Sequence, residues 1–236
     1  MMVVARAVTA MALFAVTAQA AAASFDLEAT TDLRRRGLSW SAGLPTLVGR
    51  GNLAIGNGFS VDAGVAGLRG SMRHGGADVM ADAALRYEHQ AGPWRLWGGI
   101  QGLGFAGARR QHYAQLRAGT ALGVGPVDIS VTADWAPPQR AIGGSNLYLG
   151  AYARAGLPGT PVTLAAGIGR STGADDRSGN ARRLRPCGDY SDFLIEADYV
   201  LGIITLGATA TATTIDRGCG AADAGARVLV RAAVGF

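Results

Sequence analysis

From Phe25 onward the chain alternates between apolar and polar residues. In Phe25-Asp26-Leu27-Glu28-Ala29-Thr30-Thr31-Asp32-Leu33, one parity carries Phe25, Leu27, Ala29 and Leu33, and the other carries Asp26, Glu28, Thr30 and Asp32. A period of two with one apolar face is the signature of a β-strand. The same pattern recurs over 46–55, 59–69, 78–89, 94–103, 113–122, 127–135, 146–156, 162–169, 193–200, 205–215 and 226–236. With the first segment, 25–33, this predicts about twelve strands.

The connections sort by length. Those at 34–45, 70–77, 104–112, 136–145, 170–192 and 216–225 are long, and they alternate with short ones at 56–58, 90–93, 123–126, 157–161 and 201–204. A soluble sandwich has no reason to sort its loops this way. An up-and-down transmembrane antiparallel β-barrel of the bacterial outer membrane does, with short turns and both termini on the periplasmic face. Aromatics agree: Phe25, Phe59, Tyr87, Trp94, Tyr199 and Phe236 all fall on the apolar parity beside a short turn or a terminus, as one interfacial belt. Trp135 and Phe193 mark a thinner belt at the opposite end.

The segment before the first strand has another character. Arg6 is its only charge, Ala7 to Ala18 is apolar, and Ala18-Gln19-Ala20 reads as a small-x-small cleavage site. Residues 1–23 are therefore expected to be a secretory signal peptide cleaved between 20 and 23, with the barrel occupying 24–236. The apolar run is too short for a membrane span.

The last strand alternates to its final residue, and the terminal Phe236 resembles the assembly signal of outer-membrane barrels as a class. A narrower resemblance lies in Thr31-Asp32-Leu33-Arg34-Arg35-Arg36-Gly37-Leu38-Ser39-Trp40-Ser41 with Pro45. This stretch is similar to the Thr-x-Asp, Arg-Gly-x-Ser and following Pro of the TorF porin family, which usually has Tyr where this chain has Leu33. The resemblance implies a small porin-like barrel in the outer membrane of a Gram-negative bacterium. Its implied partners are outer-membrane lipid and lipopolysaccharide, the barrel-assembly machinery and small solutes.

Charge refines the picture. All 22 basic residues are arginine, which speaks of lysine-poor coding, and no basic stretch is interleaved with stacking aromatics, so no nucleic-acid partner is expected. Assigning the polar parity to the lumen places Asp82, Arg86, Arg95, Arg117, Asp128, Asp134, Arg154, Glu196 and Asp198 on its wall. With the other polar-parity charges, the interior comes to near minus four and the outer rim to near plus eight. Arg34, Arg35 and Arg36 in the first long connection, and Arg182, Arg183 and Arg185 in the longest, are candidates for a channel mouth or constriction. The second group reads equally well as lying flat on lipid phosphates.

Cys187 and Cys219, the only cysteines, sit in two long connections separated by one hairpin, so a disulfide is expected in an oxidising compartment. His74, His89 and His112 fall in or beside different connections, suggest no metal site and read as solvated loop residues. Gly102 to Gly107 matches Gly-x-Gly-x-x-Gly, yet another strand follows where a dinucleotide site needs a helix. No cofactor is expected. The function read from the sequence is a porin-like channel for passive diffusion of small polar or charged solutes. The alternatives are a non-conducting structural or adhesin barrel and, more remotely, a lipid-modifying enzyme built on His74 or His112 with Ser71, Asp78 or Ser145.

Overall fold

The computed structural model describes residues 23–176, 178–216, 218 and 224–236. Twelve strands close into one antiparallel barrel: β1 (Ala23–Thr30), β4 (Thr46–Gly56), β5 (Phe59–Ser71), β6 (Ala77–Ala91), β7 (Trp94–Ala106), β8 (Tyr113–Val124), β9 (Val127–Gln139), β10 (Gly144–Gly156), β11 (Val162–Thr172), β12 (Tyr190–Leu201), β13 (Ile204–Thr213) and β14 (Arg227–Gly235). Each pairs with its neighbours in sequence, and β1 closes on β14. Two further strands, β2 (Arg34–Arg35) and β3 (Leu38–Ser39), form a separate hairpin. The secretion signal expected over 1–23 lies, except for Ala23, outside the described residues.

The polarity is inside out. Leu27, Leu53, Ile100, Leu149, Ile195 and Val228 project exposed from the outer wall, whereas the opposite parity carries carboxylates, arginines and amides paired across the interior. Such a surface is stable only against hydrocarbon, and closure leaves no unpaired sheet edge there. At the short-turn end, Phe59 and Tyr87 lie 4.9 Å apart and Phe25 stacks on Phe236 at 6.3 Å. The seam closes through Phe25 and Phe236, each donating its N–H to the other's carbonyl at 3.1 and 2.8 Å.

All twelve wall strands were legible from alternation, but several run further at the long-loop end. The Ala136-Pro137-Pro138 step reads as a stop, because proline has no N–H for the ladder. The strand nevertheless continues to Gln139. Register places Ala114 of β8 across from Pro137, and the Gln139 side chain supplies the missing partner: its Oε1 accepts from the Ala114 N–H at 2.9 Å and its Nε2 donates to the Ala114 carbonyl at 2.8 Å. The connection expected over 136–145 thereby shrinks to a 3-10 turn, Arg140–Ile142, and that over 70–77 to the turn Met72–His74.

Between the long-loop ends of the strands sits a packed apolar core. Leu33, Leu38, Trp40, Leu68, Phe105, Tyr113, Ile142, Leu184 and Tyr190 are buried together there. Its members come from the first long connection, the strand ends and the 170–192 connection, so the long-loop mouth is filled from within.

Candidate functional site

The filling begins at Asp32. Its buried Oδ1 accepts from the Ser39 and Ser41 hydroxyls at 2.6 and 3.0 Å, and its Oδ2 accepts from Arg34 Nε at 2.8 Å. Ser41 Oγ also accepts from the Leu33 N–H at 2.9 Å. These bonds turn the chain out of the wall after Thr30 and into the barrel, where β2 and β3 run as an inward hairpin. Its two-residue turn, Arg36 and Gly37, has both φ values positive (54° and 73°), the sign pattern of a type I′ turn. Gly37 is also required by space, since a Cβ there would stand 2.4 Å from Thr213 Cγ2 and 3.0 Å from Asp192 Cβ. The wall at β12 and β13 thus grips the hairpin tip, and the Tyr190 hydroxyl donates to the Arg36 carbonyl at 2.9 Å.

The hairpin arginines fan across the lumen. Arg34 is spent internally: besides Asp32, its guanidinium donates to the Gly37 and Gly225 carbonyls at 3.0 and 2.7 Å. Arg35 lies over Trp40 at 4.8 Å and reaches Asp82 at 3.4 Å. Arg36 donates to Gln115 at 3.3 Å and Asp134 at 3.0 Å, with its guanidinium 4.4 Å from the Tyr148 ring. Asp82 and Asp134 are linked to the same belt, Gln101 donating to Asp82 at 2.6 Å, Gln115 to Gln101 at 2.8 Å and Arg117 to Asp134 at 2.9 Å. Three arginines therefore enter an interior that alternation alone makes near minus four, and they offset most of that charge.

The remaining predicted wall residues also pair. Arg86 bonds Glu88, and Arg95 lies 3.9 Å from Glu88 and 3.8 Å from Asp128. Arg154 bridges Glu196 and Asp198 at 3.7 and 3.9 Å, beside Arg231, which meets Asp198 at 2.7 Å. Trp97, which alternation did not single out, faces inward between Arg86 and Arg117, each 5.7 Å from its ring. The signal was there in the register: Gly119 lies opposite Trp97, and a Cβ there would fall 2.5 Å from the indole.

Below the hairpin the barrel is open. A cavity of about 600 Å³ is bounded by Arg35, Arg36, Asp82, Asp134, Arg50 and Asp62. A second, of about 570 Å³, runs past Arg50, Arg154, Asp198 and Arg231 to the short turn at Gly202. A charged lumen thus runs from the short-turn end to the hairpin, and a smaller cavity of about 240 Å³ continues beside the hairpin past Arg36, Asp192 and Thr211.

Arg182, Arg183 and Arg185 do not form the mouth that their clustering suggests. Arg182 is exposed, but Arg183 and Arg185 are buried. Arg183 lies 4.1 Å from the Phe105 ring and donates to the Gln111 and Ala141 carbonyls at 2.6 and 3.1 Å. Arg185 pairs with Asp189 at 3.0 Å and donates to the Ala174 carbonyl at 3.0 Å. The Arg183 and Arg185 guanidiniums are spent in tying the 173–189 segment down as a lid, while the Arg182 side chain faces out. Arg73 joins lid to hairpin, donating to the Arg183 carbonyl at 2.9 Å and the Ser39 carbonyl at 3.2 Å. Cys187, in the same segment, is not a free thiol; Cys219 lies outside the described residues.

His74 corrects another expectation. Rather than being solvated, it is fully buried between Trp40 (4.4 Å) and Phe105 (4.9 Å), and its Nδ1 accepts from Arg183 Nε at 3.1 Å. Neither of its ring nitrogens meets a serine or carboxylate, so the triad considered for a lipid-modifying enzyme is not assembled there. His112 accepts from the Phe105 N–H at 3.1 Å, and His89 is exposed near the short-turn end.

Burial and the flanking Arg183, Arg73 and Arg35 push the His74 imidazole from its ordinary 6.5 down to about 2. An opened lid, with the ring solvated, binds a proton that the closed lid refuses. Closure is therefore fully stable above about pH 6.5 and weakens by up to about 1.4 kcal/mol per unit below it. Hydrogen exchange over residues 173–189, corrected for intrinsic rates, should lose protection between pH 6.5 and 5. In His74→Gln, which keeps an acceptor and does not titrate, the protection should persist, and an unchanged acid sensitivity would refute the assignment.

Similarity to solved structures follows this architecture. The chain superposes on the KdgM porin with a TM-score of 0.60 at 7% identity, covering 90% of this chain and 98% of that one. For the NanC porin the values are 0.59 and 11%, again with 90% and 98% covered. For an outer membrane channel from Pseudomonas putida F1 they are 0.54 and 12%, with 92% and 96% covered. At these identities the shared property is the barrel fold. No curated protein matches the chain in sequence. A family model described as a bacterial protein of unknown function (Gcw_chp) matches residues 15–217, most of the wall together with the inward hairpin and the lid, and the chain belongs to that family.

Proposed function

We propose that the protein is a porin-like channel of the outer membrane, of the TorF type, which passes small polar or charged solutes and is shut at its outer mouth in the conformation described. The observation that carries this reading is the charged lumen, two cavities that meet at Asp26 and Arg50 between the short-turn end and the hairpin and narrow at Arg35 and Arg36, which belong to the hairpin and not to the wall. A channel needs a hydrated path and a removable obstruction. Here the obstruction is a loop element held by hydrogen bonds and ion pairs, while the wall behind it is complete.

The rest of the reading follows from that placement. The short-turn end, with both termini, faces the periplasm, and the lid faces outward. Residues 1–23 are the export signal, cut between 20 and 23, and Phe236 is the mark recognised by the assembly machinery. Cys187 and Cys219 pair and tie the lid to the neighbouring loop; such a bridge contributes roughly 2 to 4 kcal/mol. Protein denatured without reductant should then show no titratable thiol, and two free thiols would refute the pairing. The packed outer core favours one other reading, a barrel that never conducts and serves as a structural element.

Single-channel recording in planar bilayers separates the two. The wild-type chain should open rarely or to small steps. Replacing Arg35 and Arg36 with Ser removes their ties to Asp82, Gln115 and Asp134 and uncovers the acids of the wall, so openings should become larger and more frequent, with a shift towards cation preference. Silence of both proteins, with heat-modifiable gel mobility showing a folded barrel, would overturn the channel reading in favour of the structural one.

A further inference from the structure

Sending the chain inward at Thr30 leaves a mark on the outside of the wall. β1 ends at Thr30, opposite Arg231 of β14 and Thr46 of β4. One more link joins Thr31 to Val230 before the chain enters the barrel. β14 continues upward to Arg227, and β5 continues to Ser71 beyond its last pair with β4, Val48 with Ala66. The wall is therefore notched at its upper edge between β14 and β5.

The register shows what floors the notch. Leu206 pairs with Ala232, Ala232 with Ala29, and Ala29 with Leu47, while Gly67 pairs with Val79 further on. Ala232 and Ala29 thus stand side by side between Leu206 and Leu47 on a lipid-facing row, with Gly67 beside Val79 further along, and the result is an outward-facing hollow of about 1180 Å³ roofed by Leu44 and Pro45. The hollow reaches from β13 to β6, six adjacent strands, or roughly 24 Å at the usual strand spacing. Among the described residues this sector of the wall has no outer-belt aromatic to match Trp135 and Phe193.

Arg69 stands at the rim. It is exposed, has a left-handed φ of 58°, and makes no ion pair among the described residues. Asp78 is the other charged side chain at that edge and disfavours an anion on its own side. An apolar trough several acyl chains wide, with an unpaired guanidinium at its rim, matches a multi-acyl lipid with a phosphorylated head.

We propose that this notch binds lipopolysaccharide of the outer leaflet, with its acyl chains over Ala29, Ala232 and Gly67 and a phosphate on Arg69. The proposal rests on the orientation given above, which puts the notch in the outer leaflet, but not on conduction.

Native mass spectrometry of the full barrel in detergent, titrated with a short-chain lipopolysaccharide or, in parallel, with phosphatidylglycerol, tests it. One lipopolysaccharide should be retained per barrel at concentrations where phosphatidylglycerol is not. Arg69→Gln should lower retention about fivefold, and Ala232→Trp, which fills the floor, should abolish it. Ala151→Trp, at an exposed position on the far wall, should leave it unchanged. Equal retention of phosphatidylglycerol, full retention in Ala232→Trp, or equal loss in Ala151→Trp would overturn the site. A silent barrel that still holds the lipid would count against the channel reading alone.

Discussion

A carboxylate buried inside a membrane barrel is costly unless every lone pair facing the protein is matched. Asp32 meets that demand with two serine hydroxyls and an arginine drawn from the nine residues that follow it. In doing so it bends the chain out of the wall. That bend places the hairpin in the lumen, where Arg35 and Arg36 find acids and glutamines across it, and it packs the apolar residues of the same connection under the lid. The outer notch is the other face of the event, because a strand that leaves the wall early leaves a gap behind it.

The wall and the plug are held by different physics. Every wall strand is paired on both sides and its outward side chains need only hydrocarbon, so the wall is indifferent to what fills it. The plug depends on a few specific contacts: Gly37 against Thr213 and Asp192, Arg73 between hairpin and lid, and Arg183 between His74 and two aromatic rings. Burial lowers the Arg183 guanidinium to about 10, so it stays charged beside an imidazole that stays neutral. The wall's backbone ladder therefore does not depend on the plug, although Asp82 and Asp134 are paired to it.

Alternation with period two was enough to find all twelve wall strands, because parity is a local property and the lipid enforces it at each outward position. The wall charges were legible for the same reason: Arg117 and Asp134, or Arg154 and Glu196, share a face as soon as the register is set. What failed were the connections. Pro137 and Pro138 look like a strand end until the Gln139 amide is seen to donate to the Ala114 carbonyl in place of the lost N–H. Arg183 and Arg185 look like free surface charge until closure brings backbone carbonyls to them. His74 looks solvated until Trp40 and Phe105 close on it. Each of these outcomes depends on partners brought together only by barrel closure, which no local pattern contains. The stretch from Thr31 to Pro45 was conspicuous as a motif, and its inward course explains why Asp32, Gly37 and the two serines occur together.

Gating of this kind requires a lumen that is open towards the short turns and shut by the hairpin towards the long loops. Side-specific modification of a cysteine at Asn52, which lines the inner cavity, tests that most directly, using uniformly oriented barrels in which Cys187 and Cys219 are replaced by Ser. A charged thiol reagent added from the short-turn side should react at a rate close to that of the denatured protein, and added from the long-loop side it should react at least tenfold more slowly. Equal rates from the two sides would contradict a lumen closed at the hairpin.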